Sequence, residues 1–223
     1  GEPLADFFDP ARINVVNRAV GGLSSRTFLT GGHWERVLGL LKAGDIVIMQ
    51  FGHNDNGELN DEPPGPLRAR GTIPGIGEET RAIDNVMTKQ HEFVHTFGWY
   101  LRKYIADARA KGAVPIVASL VPRKRWADGK IIRDDNSHAG WAAAVARAEG
   151  VPFLDLNEQI ARRYDALAAE KVEPLFADEH THTSRPGAEL NAEVVIAGLK
   201  SLPGNPLSPY FTAKAAAVAP QSR

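Results

Sequence analysis

The chain has 223 residues, enough for one sizeable core and short for two. Charged residues are 24% and apolar residues 43% of it, and the formal net charge is −1, so bulk electrostatics give no reason to expect a nucleic-acid or membrane partner. No window approaches the roughly 18 apolar residues of a membrane span, and the lack of cysteine excludes disulfides, thiolate nucleophiles and cysteine zinc sites.

The first ten residues, GEPLADFFDP, have no basic start, no apolar run and no initiator methionine. They do not read as a signal peptide, and the expectation is a mature form or a fragment. INVV (13–16), DIVIMQF (45–51), VPIVASL (114–120) and VPFLDL (151–156) are short, nearly continuous and rich in β-branched residues, as strands covered on both faces are. Between and after them lie helical patterns at 34–44, 97–112, 138–150, 157–171 and 186–202. The first three close on a glycine, and the last opens on Pro186, suited to a first helical turn. Alternating strands and helices predict a doubly wound parallel α/β sheet, with ligands beyond the carboxyl ends of the strands. Residues 56–79, rich in Gly and Pro and without period, form a loop long enough to be functional. The tail after Leu202 has no periodic core face and is expected to fray.

Four polar stretches carry candidate chemistry. NRAVGGLSSRTF (17–28) follows the first predicted strand, and its paired glycines offer backbone N–H groups to an oxyanion; the bland alternative is a plain glycine turn. Gly22-Leu23-Ser24-Ser25-Arg26 starts like a nucleophile elbow, but Arg26 stands where the closing glycine belongs, which counts against Ser24. QFGHND (50–55) ends the second strand. Asn54 has an N–H₂ for an oxyanion, against the alternative of an Asn/Asp turn. PRKRW (122–126) sets Arg123, Arg125 and Trp126 together, fit for an acidic sugar or simply a solvated basic loop. DEHTHTS (178–184) crowds acids and histidines before the last helix. A metal could use His180 and His182 with a carboxylate, although the other histidines offer no obvious third ligand. Ser184 or Thr183 could simply cap the helix. In the catalytic reading an acid orients His182: Glu179, three residues before, with Asp178 as the alternative.

The order of these pieces resembles the SGNH (GDSL-type) hydrolases: a glycine turn with serines, then G-x-N-D, then acid-x-x-His before the last helix. NRAVGGLSSRTF, QFGHNDNG, RGTIPGIGEET, VHTFGWYLRKYI and DEHTHTSRPGAELNA are similar to the rhamnogalacturonan acetylesterase branch, over residues 1–202. The resemblance implies a flavodoxin-like, three-layer α/β/α domain over 1–202 with a tail at 203–223. It implies Gly22 and Asn54 as oxyanion donors, His182 as general base and Glu179 or Asp178 as its acid. It implies an acetylated pectic oligo- or polysaccharide substrate contacted by Arg123, Arg125, Trp126 and His53, with no cofactor, no metal, and a secreted or periplasmic location. Leu23 departs from the arginine more usual in the branch.

The family's nucleophile lies in a G-D-S block on a first strand, and no such block occurs here. The eight serines are 24, 25, 119, 137, 184, 201, 208 and 222. None has the expected setting. The expectation is therefore an N-terminally truncated sequence, lacking its first strand and its serine, and inactive as it stands. Two alternatives remain: a non-catalytic polysaccharide-binding relative, and a metal-dependent hydrolase using His180 and His182.

Overall fold

The computed structural model describes residues 2–61 and 64–221; Ser222 lies outside them. In chain order the elements are α1 (Ser25–Thr30), α2 (His33–Leu38), β1 (Ile46–Gln50), β2 (Thr80–Asp84), β3 (His91–His95), α3 (Phe97–Ala110) and β4 (Val114–Ala118). There follow β5 (Trp126–Ala127), β6 (Lys130–Ile131), α4 (His138–Glu149), β7 (Phe153–Leu154), α5 (Leu156–Leu167), α6 (Ala169–Val172), α7 (Arg185–Ser201) and α8 (Ala213–Ala216). The chain forms two compact units, one from Gly1–Ala19, Val121–Arg133 and Leu154–Arg223, the other from Val20–Leu120 and Asp134–Phe153.

The second unit holds the parallel sheet of an α/β fold. Its strand order is β1-β4-β7, with β1 and β4 parallel from Ile46 opposite Val114 to Gln50 opposite Ala118. Helices α3 and α4 pack on each other and on β4. α3 starts where Thr96 accepts a hydrogen bond from the Trp99 N–H, which satisfies one of the orphan donors of the first turn. Its 3.6-residue period then buries Tyr100, Leu101, Tyr104, Ile105 and Ala108 on one side. Each large side chain so buried is worth about 1.5–3 kcal/mol, so Ile105→Asp would break this packing. α4 ends at Gly150, whose φ of +61° suits glycine. The β2–β3 hairpin, which has no clear signal in the sequence, turns Val94 inward and leaves Phe93 60% exposed.

In the first unit α5 and α7 pack together around Ile160, Tyr164, Ile196 and Leu199. The tail, expected to fray, is instead packed. Leu207 and Ala215 are buried, the Phe8 and Phe211 rings lie 5.3 Å apart, and the Thr212 N–H donates to Phe7 O.

Three other expectations are corrected. INVV is not a strand: residues 13–20 carry no regular structure and Val16 is 49% exposed. β-branched residues favour a pleated surface but need a partner ladder, and no described strand pairs with these. The helix expected over 34–44 stops at Leu38 because Gly39 caps it. The helix expected over 157–171 breaks at Ala168, whose φ of +65° interrupts the ladder before α6.

Candidate active site

In the second unit the glycine turn and the GHND loop are tied together. Gly22 has a φ of +81°, where a side chain would be strained. Ser24 then caps α1 in a reciprocal pair with Thr27, which fixes how the chain leaves the turn. From the facing loop, Asn54 Nδ2 donates to Leu23 O at 3.0 Å. That uses one of its two amide hydrogens and leaves a second donor direction. Asp55 beside it is buried. Its carboxylate accepts from the Ser25 N–H and the Gly52 N–H, each at 3.0 Å, and from the Ser25 hydroxyl. Burial pushes the Asp55 carboxyl up to about 6, although the hydrogen bonds from Ser25 and Gly52 pull it down.

Behind these loops, Arg26 is fully buried and forks onto Glu92 with two contacts of 2.7 Å. The same guanidinium donates to Leu59 O and Gly71 O at 2.9 Å. The residue that spoils the elbow pattern is thus a structural pin. His53 is half-buried beside Asn54, and burial lowers the nearby His138 imidazole to about 4 against the pull of Asp134.

In the first unit, DEHTHTS folds into a tight loop before α7. The Ala177 N–H donates to His182 O at 2.7 Å and the Ser184 N–H to Leu175 O at 2.9 Å, while Ser184 caps α7. Gly187 is required there, since a Cβ would stand 2.0 Å from Leu175 O. One Asp178 oxygen accepts the N–H groups of His180, Thr181 and His182 at 3.1, 2.7 and 2.9 Å. The other meets His182 Nδ1 at 2.5 Å. The backbone bonds to Thr181 and His182 come first among the causes that hold the Asp178 carboxyl well below the usual carboxylate range. The acid against His182 is therefore Asp178, the alternative of the two, and not Glu179. The chain curls around the shorter aspartate through its three N–H groups, a device the acid-x-x-His spacing does not display. The His182 side chain is 82% exposed.

His180 turns elsewhere. Its Nδ1 meets the Thr181 hydroxyl at 2.6 Å, its Nε2 lies 3.4 Å from Arg125 Nη2, and its carbonyl accepts from the Lys124 N–H. The two histidines thus have different partners, and among the described residues no group of three or more His, Asp or Glu is placed to hold a metal. His180, Glu179, Lys124, Arg125, Trp126 and Glu173 line a cavity of about 560 Å³. Lys124 is committed to Glu173 at 2.6 Å and lies over the Phe176 ring. Arg123 does not line this cavity.

Most of the described serines are buried or bonded through their hydroxyls. Ser24, Ser25 and Ser119 are fully buried. The Ser137 hydroxyl donates to Asp134, Ser184 to Pro174 O, and Ser201 to Ala197 O. Ser208 begins a short 3-10 helix. Sequence reasoning missed two residues at the glycine turn, Asp55 and Arg70, whose Nη1 lies 3.3 Å from Gly22 O. The acid at the end of GHND and the length of the following loop were the available signals.

Comparison with known proteins adds to this geometry. The pattern of the GDSL-like Lipase/Acylhydrolase family matches residues 2–190. The chain is 30% identical over 188 residues to a rhamnogalacturonan acetylesterase of Emericella nidulans, covering 84% of this chain and 74% of that protein. It is 30% identical over 204 residues to the probable rhamnogalacturonan acetylesterase YesY of Bacillus subtilis, covering 89% and 82%. Among solved structures, the protein YxiM of Bacillus subtilis superposes with a TM-score of 0.69 at 23% identity, a likeness of fold. That match covers 89% of this chain and 49% of the other.

Proposed function

As this chain belongs to the GDSL-like lipase/acylhydrolase family, we propose that it is a carbohydrate O-acetyl esterase acting on an acetylated pectic polysaccharide. The observation that carries this reading is the Asp178–His182 contact. With Nδ1 turned to Asp178, Nε2 is the nitrogen that faces a nucleophile, and the carboxylate stabilises the imidazolium that forms. A serine Oγ attacks the acetyl carbonyl carbon and gives its proton to His182 Nε2. The oxyanion that forms needs preorganised N–H donors; the resemblance gives that role to Gly22 and Asn54, which the second unit holds at its glycine turn. The C–O bond to the sugar then breaks, His182 protonates the departing alkoxide, and water hydrolyses the acetyl-enzyme. This chemistry needs neither metal nor cofactor.

The serine is the part these 223 residues do not supply. Every described serine is buried, capping or bonded away, or at the start of a 3-10 turn, so the reading takes the nucleophile from outside this sequence. By itself the chain is then a binding and proton-transfer scaffold without turnover. In the first-unit cavity, Trp126 offers a face for a sugar ring and Arg125 a fork for a carboxylate. Arg123 and His53 are further substrate contacts in this reading. A polymer substrate implies a secreted or periplasmic protein.

The test is a fluorophosphonate probe with the labelled residue located by mass spectrometry. The entire product of the gene should label on one serine that is none of the eight here, and the 223-residue chain should not label. A label on Ser24, Ser25 or Ser119 would overturn the placement of the nucleophile. No label on the entire gene product would overturn the serine-esterase reading.

A further inference from the structure

The cavity of the first unit is bordered by two groups that the fold leaves unengaged. Most of its charges are met inside the unit. Lys124 Nζ pairs with Glu173 at 2.6 Å and lies 5.4 Å from the centre of the Phe176 ring. His180 Nδ1 meets the Thr181 hydroxyl at 2.6 Å, and its Nε2 lies 3.4 Å from Arg125 Nη2. Glu179 differs. Asp178, one residue earlier, collects the N–H groups of His180, Thr181 and His182, so the loop has none of these donors left for its neighbour. The Glu179 carboxylate has no hydrogen bond or ion pair among the described residues. Trp126, half-buried on β5, pairs through its backbone with Ile131. Its indole N–H has no hydrogen-bond partner, and its ring no aromatic or cation partner, among the described residues. A carboxylate and an indole face thus border one space of about 560 Å³, within the range of small-ligand sites.

We propose that this cavity is a subsite for an unesterified sugar ring and that Glu179 is the residue that selects it. The proposal rests on the carbohydrate-esterase reading and goes beyond it by separating the ring that carries the acetyl group from the ring held here. An ionised carboxylate accepts hydrogen bonds and cannot donate them. Its two oxygens match two neighbouring hydroxyls of one ring, each through a charge-assisted O–H···O bond. The C–H face of the same ring lies on the indole of Trp126. An acetylated hydroxyl has no proton to give, so each ester removes one of these bonds and sets an ester oxygen against Glu179. A ring carboxylate turned toward Glu179 is repelled by its like charge. The two cations of the cavity, Lys124 and Arg125, are balanced by Glu173 and Glu179, so no net positive charge reverses this. The ester to be cleaved then lies on a different ring, and a bare neighbour strengthens binding.

The experiment measures binding, so it does not depend on the nucleophile. Titration calorimetry compares a de-esterified rhamnogalacturonan oligosaccharide with the same oligosaccharide O-acetylated on every hydroxyl, on the 223-residue chain and on Glu179→Gln and Trp126→Ala. Charge-assisted bonds to one carboxylate support a preference of about tenfold to a hundredfold for the de-esterified form. Glu179→Gln should weaken that form by about tenfold, with the acetylated form and the Tm unchanged, because the carboxylate has no partner inside the fold. Trp126→Ala should weaken both ligands. If Glu179→Gln binds the de-esterified form as tightly as the parent, weakens both forms by the same factor, or lowers the Tm along with binding, Glu179 does not select hydroxyls and the inference is overturned. Equal affinity of the parent for the two forms overturns it as well. If the parent binds neither oligosaccharide, the carbohydrate reading itself fails.

Discussion

Asp55→Asn gives the most quantitative check on how the glycine turn is held. The Asp55 carboxyl is raised from 3.8 to about 6 in the folded chain, by burial against the pull of its hydrogen bonds. An acid whose folded pKa is raised holds its proton in the fold at a pH where the unfolded chain has released it. The fold therefore loses stability as pH rises from the unfolded value through about 6 and changes no further above it. Linkage with these two pKa values gives a loss of about 2 kcal/mol between about pH 4.5 and about pH 8 from this group. Asparagine has no such titration, but its amide would face either the Gly52 N–H or Ser25 and leave a buried donor unmet, at about 1–3 kcal/mol. The variant should thus be clearly less stable than the parent near pH 4.5 and close to it near pH 8. Urea unfolding of both proteins at the two pH values measures this directly. A stability difference that does not change with pH would refute the claim that burial controls this carboxyl.

Other perturbations follow from the same geometry. Arg26→Met removes the guanidinium from Glu92, which keeps only the Asn85 amide, and from the Leu59 and Gly71 carbonyls, and should destabilise by about 3–5 kcal/mol, read as a fall in Tm; a shift of only a degree or two would contradict the pin role. In the entire gene product, Asp178→Ala should cut kcat by about a thousandfold or more, whereas Glu179→Ala should change it by less than about tenfold. The reverse ranking would return the orienting role to Glu179. Asn54→Ala should lower kcat by about a hundredfold to a thousandfold with little change in KM, as for an oxyanion donor. A rise in KM alone would make Asn54 a ground-state binding residue.

Much of the fold was legible in the sequence because local chemistry and packing agree there. α3, α4 and α7 combine a helical apolar period with a cap or a closing glycine, and β1 and β4 are continuous apolar runs. INVV has the same composition as those strands but forms none, because a strand depends on a partner that its own residues do not specify. The β2–β3 hairpin escaped notice for the opposite reason: it is polar and exposes Phe93, so alternation is weak. At the candidate site, the residue types of GGLSSR, GHND and DEHTH were enough to single these stretches out. The choice between Asp178 and Glu179 did not follow from spacing, since it is made by three backbone N–H groups converging on one oxygen. Arg70 was invisible as an individual because an aperiodic loop gives no clue to where it closes. Arg26 and Gly71, far apart in sequence, decide that closure.

The most direct test of the esterase account is acetate release from an acetylated rhamnogalacturonan oligosaccharide by the entire gene product, compared with its His182→Ala and His180→Ala variants. The account predicts release by the parent, none above background from His182→Ala, and a milder loss from His180→Ala, whose imidazole faces Arg125 and Thr181 instead of Asp178. Equal losses in the two variants, or full release by His182→Ala, would contradict it.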